Sequence, residues 1–143
     1  MSKSYKPKDG NYIDSTGIVH GHTKLSDILT YSTYEVTDIP AHTGTGDNHI
    51  FVTKAGKTVN IVCNPIILDS ISANSWTFLG NIPLTLLPNY EPATAGVVTN
   101  SFTGDVAGVG RVLVSSTGGL YIKSAVAVTQ KTAIAFSISW VLS

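Results

Sequence analysis

A single cysteine, Cys63, leaves this 143-residue chain no internal disulfide with which to reinforce its core. It lies in Val59-Asn60-Ile61-Val62-Cys63, in phase with Val59 and Ile61, and reads as a small core residue. Charge is scarce too. Asp, Glu, Lys and Arg together make up 13% of the residues, against roughly 25% in ordinary soluble domains. Much of the surface must then be Ser, Thr, Asn and Gly, or be covered by other copies. The formal net charge is zero and Arg111 is the sole arginine. Nucleic-acid binding needs a basic stripe, which this composition does not supply. No apolar run approaches the length of a membrane-spanning helix, so no membrane insertion is expected. Met1 to Lys8 carry charge without an apolar stretch behind them, so no secretory signal is expected and synthesis in a reducing cytosol follows.

What is present is β-type patterning. At 15.1 kDa the chain has room for one domain and a short appendage. Residues 1–30 hold Lys3, Lys6, Lys8 and Lys24 with the turn pair Asp9-Gly10, and read as an arm linking to something else or as a disordered leader. From residue 31 to 143 the pattern predicts a head domain of short strands. Thr30–Thr37 comes first, and His49–Thr53 and Thr58–Cys63 form a hairpin around Lys54-Ala55-Gly56-Lys57. Pro65–Leu68 leads into a Ser/Asn loop. Gly96–Thr103 is a strand, and Val106–Ser115 with Leu120–Val128 make a hairpin about Gly118-Gly119. In the last strand Ile134, Phe136, Ile138, Trp140 and Leu142 alternate with smaller residues, which puts every large side chain on one face. The smaller face can approach another sheet or subunit closely. No segment sustains a helical period. The expected fold is all-β, an antiparallel β-sandwich of jelly-roll type with a short N-terminal arm.

Trp76–Pro88 organises the rest: a short strand Trp76-Thr77-Phe78-Leu79, a Gly80-Asn81 break, then Ile82-Pro83 and an apolar loop closed by Pro88. Pro83 and Pro88 have no N–H to give to a ladder and bracket too few residues for a stable helix. A Trp-bearing strand followed by Leu-Gly-x-Ile-Pro and a second proline resembles the C-terminal receptor-binding head domains of phage baseplate and tail-fibre proteins, those of phages infecting Gram-positive bacteria. Arg111–Ser115, Gly118-Gly119, Leu120–Ser124 and Thr132–Leu142 follow in that family's order, and the resemblance covers residues 34–143. Where the family often has an aromatic-Arg-Pro, this chain has Leu86-Leu87-Pro88. The resemblance implies a non-enzymatic homotrimer on the virion that binds a host cell-surface saccharide and attaches to other tail or baseplate proteins through its arm. Two other readings fit the same pattern: a structural head-fibre or collar decoration without a ligand, and a monomeric lectin-like module.

Few residues suggest chemistry. Ala55-Gly56-Lys57-Thr58 ends like a phosphate-binding loop, but Phe51 stands where that motif needs glycine and a strand follows where it needs a helix. Gly108-Val109-Gly110 lacks the third glycine of a dinucleotide fingerprint. There is no Gly-x-Ser-x-Gly, and the carboxylates are scattered; Glu91 and Asp105 would need to meet in space to act as a glycosidase pair. No enzyme activity is expected. His20-Gly21-His22 resembles the His-x-His motif of phage fibre tips, where three chains supply six imidazoles to an on-axis metal. A structural transition metal at His20 and His22 is thus conditional on a trimer; otherwise they are exposed loop histidines, and no cofactor is expected. Saccharide recognition needs aromatic faces beside fixed polar groups on rigid β-ends. The candidates are Asn89, Tyr90, Asn100, Asp105, Arg111 and Tyr121, each of which could equally be ordinary surface. Tyr121 and Lys123 should point outward, opposite Leu120 and Ile122, while Trp76 and Trp140 are expected in the core.

Overall fold

The computed structural model describes residues 12–13, 19–20, 31–44 and 46–143. Within the first thirty, β1 (Tyr12–Ile13) and β2 (Val19–His20) pair as a short antiparallel ladder. The rest of the expected arm, His22 included, lies outside the described residues.

The remaining strands are β3 (Tyr31–Glu35), β4 (Phe51–Ala55), β5 (Thr58–Leu68), β6 (Trp76–Asn81), β7 (Ala93–Asn100), β8 (Val106–Val114), β9 (Gly119–Ser124) and β10 (Thr132–Val141). They form one sheet, ordered β3-β4-β5-β10-β7-β8-β9-β6, with every pair antiparallel. Among the described residues there is no α-helix, only a 3₁₀ turn at Leu84–Leu86. Strands β7, β8 and β9 follow one another as a meander and β10 returns to lie beside β7, which is a Greek key.

The sheet folds over its own core. Just past β3, Thr37 exchanges backbone hydrogen bonds with Asn81 at the end of β6 (2.9 and 2.8 Å), so the two outermost strands of the ladder meet. One cluster of buried side chains fills the space inside, drawing on Val52, Ile61, Leu79, Val98, Val112, Ile122, Ile134 and Trp140. The antiparallel sandwich expected from the sequence is present, built from a single curled sheet.

Local chemistry explains where strands bend. In β10, Ile134, Phe136, Ile138 and Trp140 are all buried, as the alternation requires, and the Trp140 indole N–H donates to Leu86 O at 2.9 Å. That bond ties the apolar turn after β6 to the core. Strand β5 runs through Pro65 to Leu68, further than expected. Its register against β10 passes from Ile66↔Ile134 to Cys63↔Phe136, leaving an extra residue on β5 at Asn64-Pro65. A bulge is where a residue without an N–H can sit in a sheet. The Gly80-Asn81 break is likewise absent, since both residues belong to β6. Gly80 has φ +140°, and a Cβ there would lie 2.4 Å from Val36 Cγ1 and 2.9 Å from Thr37 O. It is the contact point at which the curled sheet closes. Strand β9, expected to reach Val128, ends at Ser124. The Ser124 hydroxyl donates to Val126 O (2.9 Å) and accepts from Val126 N–H (3.1 Å), turning the chain out of the ladder.

Candidate functional site

The outer face of β8, β9 and β6 carries the richest collection of side chains. Ladder register places Arg111 opposite Lys123 and Lys123 opposite Trp76. Two residues along, Leu113 faces Tyr121 and Tyr121 faces Phe78. Because side chains alternate along a strand, these two rows share one face. They floor a groove of about 390 Å³ lined by Trp76, Glu91, Arg111, Leu113, Ser115 and Tyr121. Glu91 reaches it from the loop before β7, which is held to β8 by Val114 N–H donating to Pro92 O (3.1 Å).

Trp76 corrects an expectation. It is 43% exposed instead of buried, and the Lys123 ammonium lies 5.8 Å from the centroid of its ring. The reason is a second bulge. Between Phe78 and Gly80 the β6 register advances by two residues while β9 advances by one, so Leu79 is an extra residue. Gly80 and Ile82 point inward after it, yet Trp76 and Phe78, in the same sequence phase, point outward before it. Simple alternation counted back from Ile82 therefore puts Trp76 on the wrong side. Tyr121 does face outward as expected, tilted 58° against Phe78 with centroids 5.6 Å apart. Together the rings give a rigid aromatic floor beside a guanidinium, an ammonium and a carboxylate. Among the described residues Arg111, Lys123 and Glu91 form no ion pair.

The other candidates divide. Asn89 and Tyr90 are exposed on the loop leading to Glu91 and do not line the groove. Asn100 and Asp105 belong to the far end of the β7–β8 hairpin. Asn100 Oδ1 accepts from the N–H groups of Phe102 (2.9 Å) and Thr103 (3.3 Å), its Nδ2 donates to Gln130 Oε1 (3.2 Å), and its own N–H donates to Asp105 O (2.9 Å). Its side chain is thus used in shaping a turn. Asp105 precedes Val114 by nine extended residues, roughly 30 Å, so it cannot pair with Glu91 across the 5–10 Å that two glycosidase carboxylates span. Of the six candidates, Arg111 and Tyr121 line the groove itself.

That far end holds a separate polar knot. Asp69 Oδ1 accepts from Lys131 Nζ (2.8 Å), Thr43 Oγ1 (2.7 Å) and Thr43 N–H (2.9 Å). The Lys131 bond above all, then the two from Thr43, hold the Asp69 carboxyl well below the usual carboxylate range. On the β3–β4 edge His49 pairs with Glu35 and stacks over Phe51; that hydrogen bond raises the imidazole pKa, against a smaller opposing effect of burial. Cys63 is buried and its thiol is pushed up to about 11 by desolvation. Among the described residues no group of three or more His, Cys, Asp and Glu side chains is placed to hold a metal ion. The expected His20–His22 metal site falls partly outside those residues.

No protein-family model matches the chain, and no curated protein matches it in sequence. Among solved structures, one similar to it is the head domain of phage bIL170, described in the context of a common fold for the receptor-binding domains of lactococcal phages. The two superpose with a TM-score of 0.58 at 17% identity, covering 78% of this chain and 100% of that one. At that identity the likeness is one of architecture. The chain has the fold of a lactococcal phage head domain, in agreement with the resemblance of Trp76–Pro88 and the closing strand to head domains of phages that infect Gram-positive bacteria.

Proposed function

We propose that this protein is a receptor-binding head of a virion, attaching without catalysis to a saccharide on the host cell surface. The observation that carries the reading is the groove of Trp76, Tyr121, Arg111 and Glu91, set on hydrogen-bonded strands of a fold shared with a phage head domain. Sugar rings present a C–H face that packs on an aromatic ring and a rim of hydroxyls that bond to charged and amide groups. Trp76 and Tyr121 supply the first kind of contact, and Glu91 and Arg111 the second. Asn89 and Tyr90 flank them on the adjoining loop. Strand-borne side chains lose little freedom on binding, so even a shallow site keeps most of its contact energy.

A single open groove gives weak affinity. The proposed protein is therefore a homotrimer whose three linked grooves act together, with residues 1–30 joining it to other virion proteins. Binding to a panel of cell-wall saccharides and to host cells tests the reading. We expect wild-type adsorption to fall at least tenfold in Trp76→Ala with the melting curve nearly unchanged. Unchanged adsorption in Trp76→Ala would remove the groove from receptor recognition. A chain lacking residues 1–30 that still binds saccharide would separate this reading from a purely structural decoration.

A further inference from the structure

Arg111 lines the groove and Lys123 stands beside it on the same face, a placement of cations that is costly unless something compensates it. Arg111 and Lys123 are direct cross-strand partners on the exposed face of β8 and β9. Such neighbours have Cβ atoms about 5 Å apart, and like charges there repel. The chain has only nine cations in 143 residues, and its one arginine faces a lysine. No carboxylate forms an ion pair with either among the described residues; Glu91, the acid that lines the groove, offsets part of the charge without bridging it. The Lys123 ammonium instead rests against the Trp76 ring, 5.8 Å from its centroid.

We infer that Arg111 and Lys123 form an oxyanion subsite, so that the receptor is a saccharide bearing phosphate or carboxylate groups; this rests on the saccharide reading of the groove. The planar guanidinium binds two oxygens of one anion side by side, and the lysine adds a mobile point charge on a four-carbon stem. The anion relieves the cross-strand repulsion, and its sugar packs on Trp76 and Tyr121. Lys123 then acts twice. Without ligand its charge covers the Trp76 ring, and with ligand it turns toward the anion and exposes the ring to the sugar.

The test is thermal unfolding of the full chain in inorganic phosphate or acetate against chloride at matched ionic strength, with Trp fluorescence recorded. Trp140 is buried, so a ligand-dependent change reports on Trp76. We expect phosphate, acetate or both to raise the melting temperature above the chloride control and to shift the Trp76 emission. The stronger of the two identifies phosphoryl or carboxylate chemistry. Arg111→Gln and Lys123→Gln should each weaken the apparent anion affinity tenfold or more, while Glu91→Gln strengthens it several-fold. Both cation variants should be at least as stable as wild type without anion. Equal responses to all three anions would overturn the subsite, as would a marked loss of stability in the cation variants. Saccharide binding that survives both substitutions would overturn the subsite and leave the receptor reading standing. Anion binding in a protein that adsorbs to no saccharide would do the reverse.

Discussion

Two tryptophans show how differently one residue type is used. Trp140 is 2% exposed, with its N–H bonded to Leu86 O, whereas Trp76 lies open on the outer face. Trp140→Ala should cost about 3–5 kcal/mol of unfolding free energy, and Trp76→Ala no more than about 1 kcal/mol, as for an ordinary surface change; urea titration of both variants checks the contrast. Trp140 was legible in the sequence because its strand alternates without interruption from Ile134. Trp76 was not, because a bulge leaves no mark in a residue pattern. Arg111 was found by its rarity alone. Its partner Lys123 was read correctly as outward, but its importance depends on cross-strand register, which the sequence does not show. The titrating residues make a further prediction. Asp69 ionises more readily folded than unfolded, so its contribution is complete above its unfolded pKa, near 3.9, and is lost as pH falls toward the folded value. His49 is the opposite case, contributing below its unfolded pKa, near 6.5, and losing that as pH rises through its raised folded value. Denaturant midpoints between pH 4 and pH 2.5 should therefore fall less steeply in Asp69→Asn than in wild type.

Among the elements, β5 and β6 both run past the residues at which their sequences predict an end, and each has a bulge. In their usual sense Pro65 and Gly80 mark the ends of strands. In the structure each sits inside a strand, Pro65 where an extra residue removes the need for its N–H and Gly80 where backbone from the other end of the sheet presses in. By contrast, the hairpin around Gly56, with φ +59° at the start of its turn, lies where the sequence put it. Turn residues with left-handed backbone announce themselves. Contacts between strands distant in sequence do not. Gly80→Ala should consequently destabilise the fold by roughly 2–4 kcal/mol, combining overpacking against Val36 with a strained backbone. The denaturation midpoint measures this, and the companion variant Val36→Ala should recover part of the loss in a double-mutant cycle.

For the whole molecule, the nature of the core follows from a single curled sheet enclosing one cluster of side chains. Cys63 is deep in that cluster, and its raised pKa keeps the thiol neutral at physiological pH. Alkylation should be slow in the native protein and rapid in denaturant, so labelling followed by mass spectrometry reports global unfolding. Assembly is read by light scattering on a size-exclusion column: a homotrimer elutes at three times the 15.1 kDa chain mass, and a monomer would remove the avidity on which the proposed adhesion depends. The seam between Thr37 and Asn81 also has a mechanical meaning. The curled sheet begins at Tyr31, β3 passes directly into the seam, and the seam ends the strand that begins with Trp76. Tension applied at Tyr31 and resisted at the groove therefore runs along the strands, across ladder bonds that stand perpendicular to them. Bonds loaded in shear share the force and fail together, whereas bonds peeled from one end fail in turn. In the proposed adhesin, this wiring would let the protein hold its grip while the particle behind it is dragged by flow.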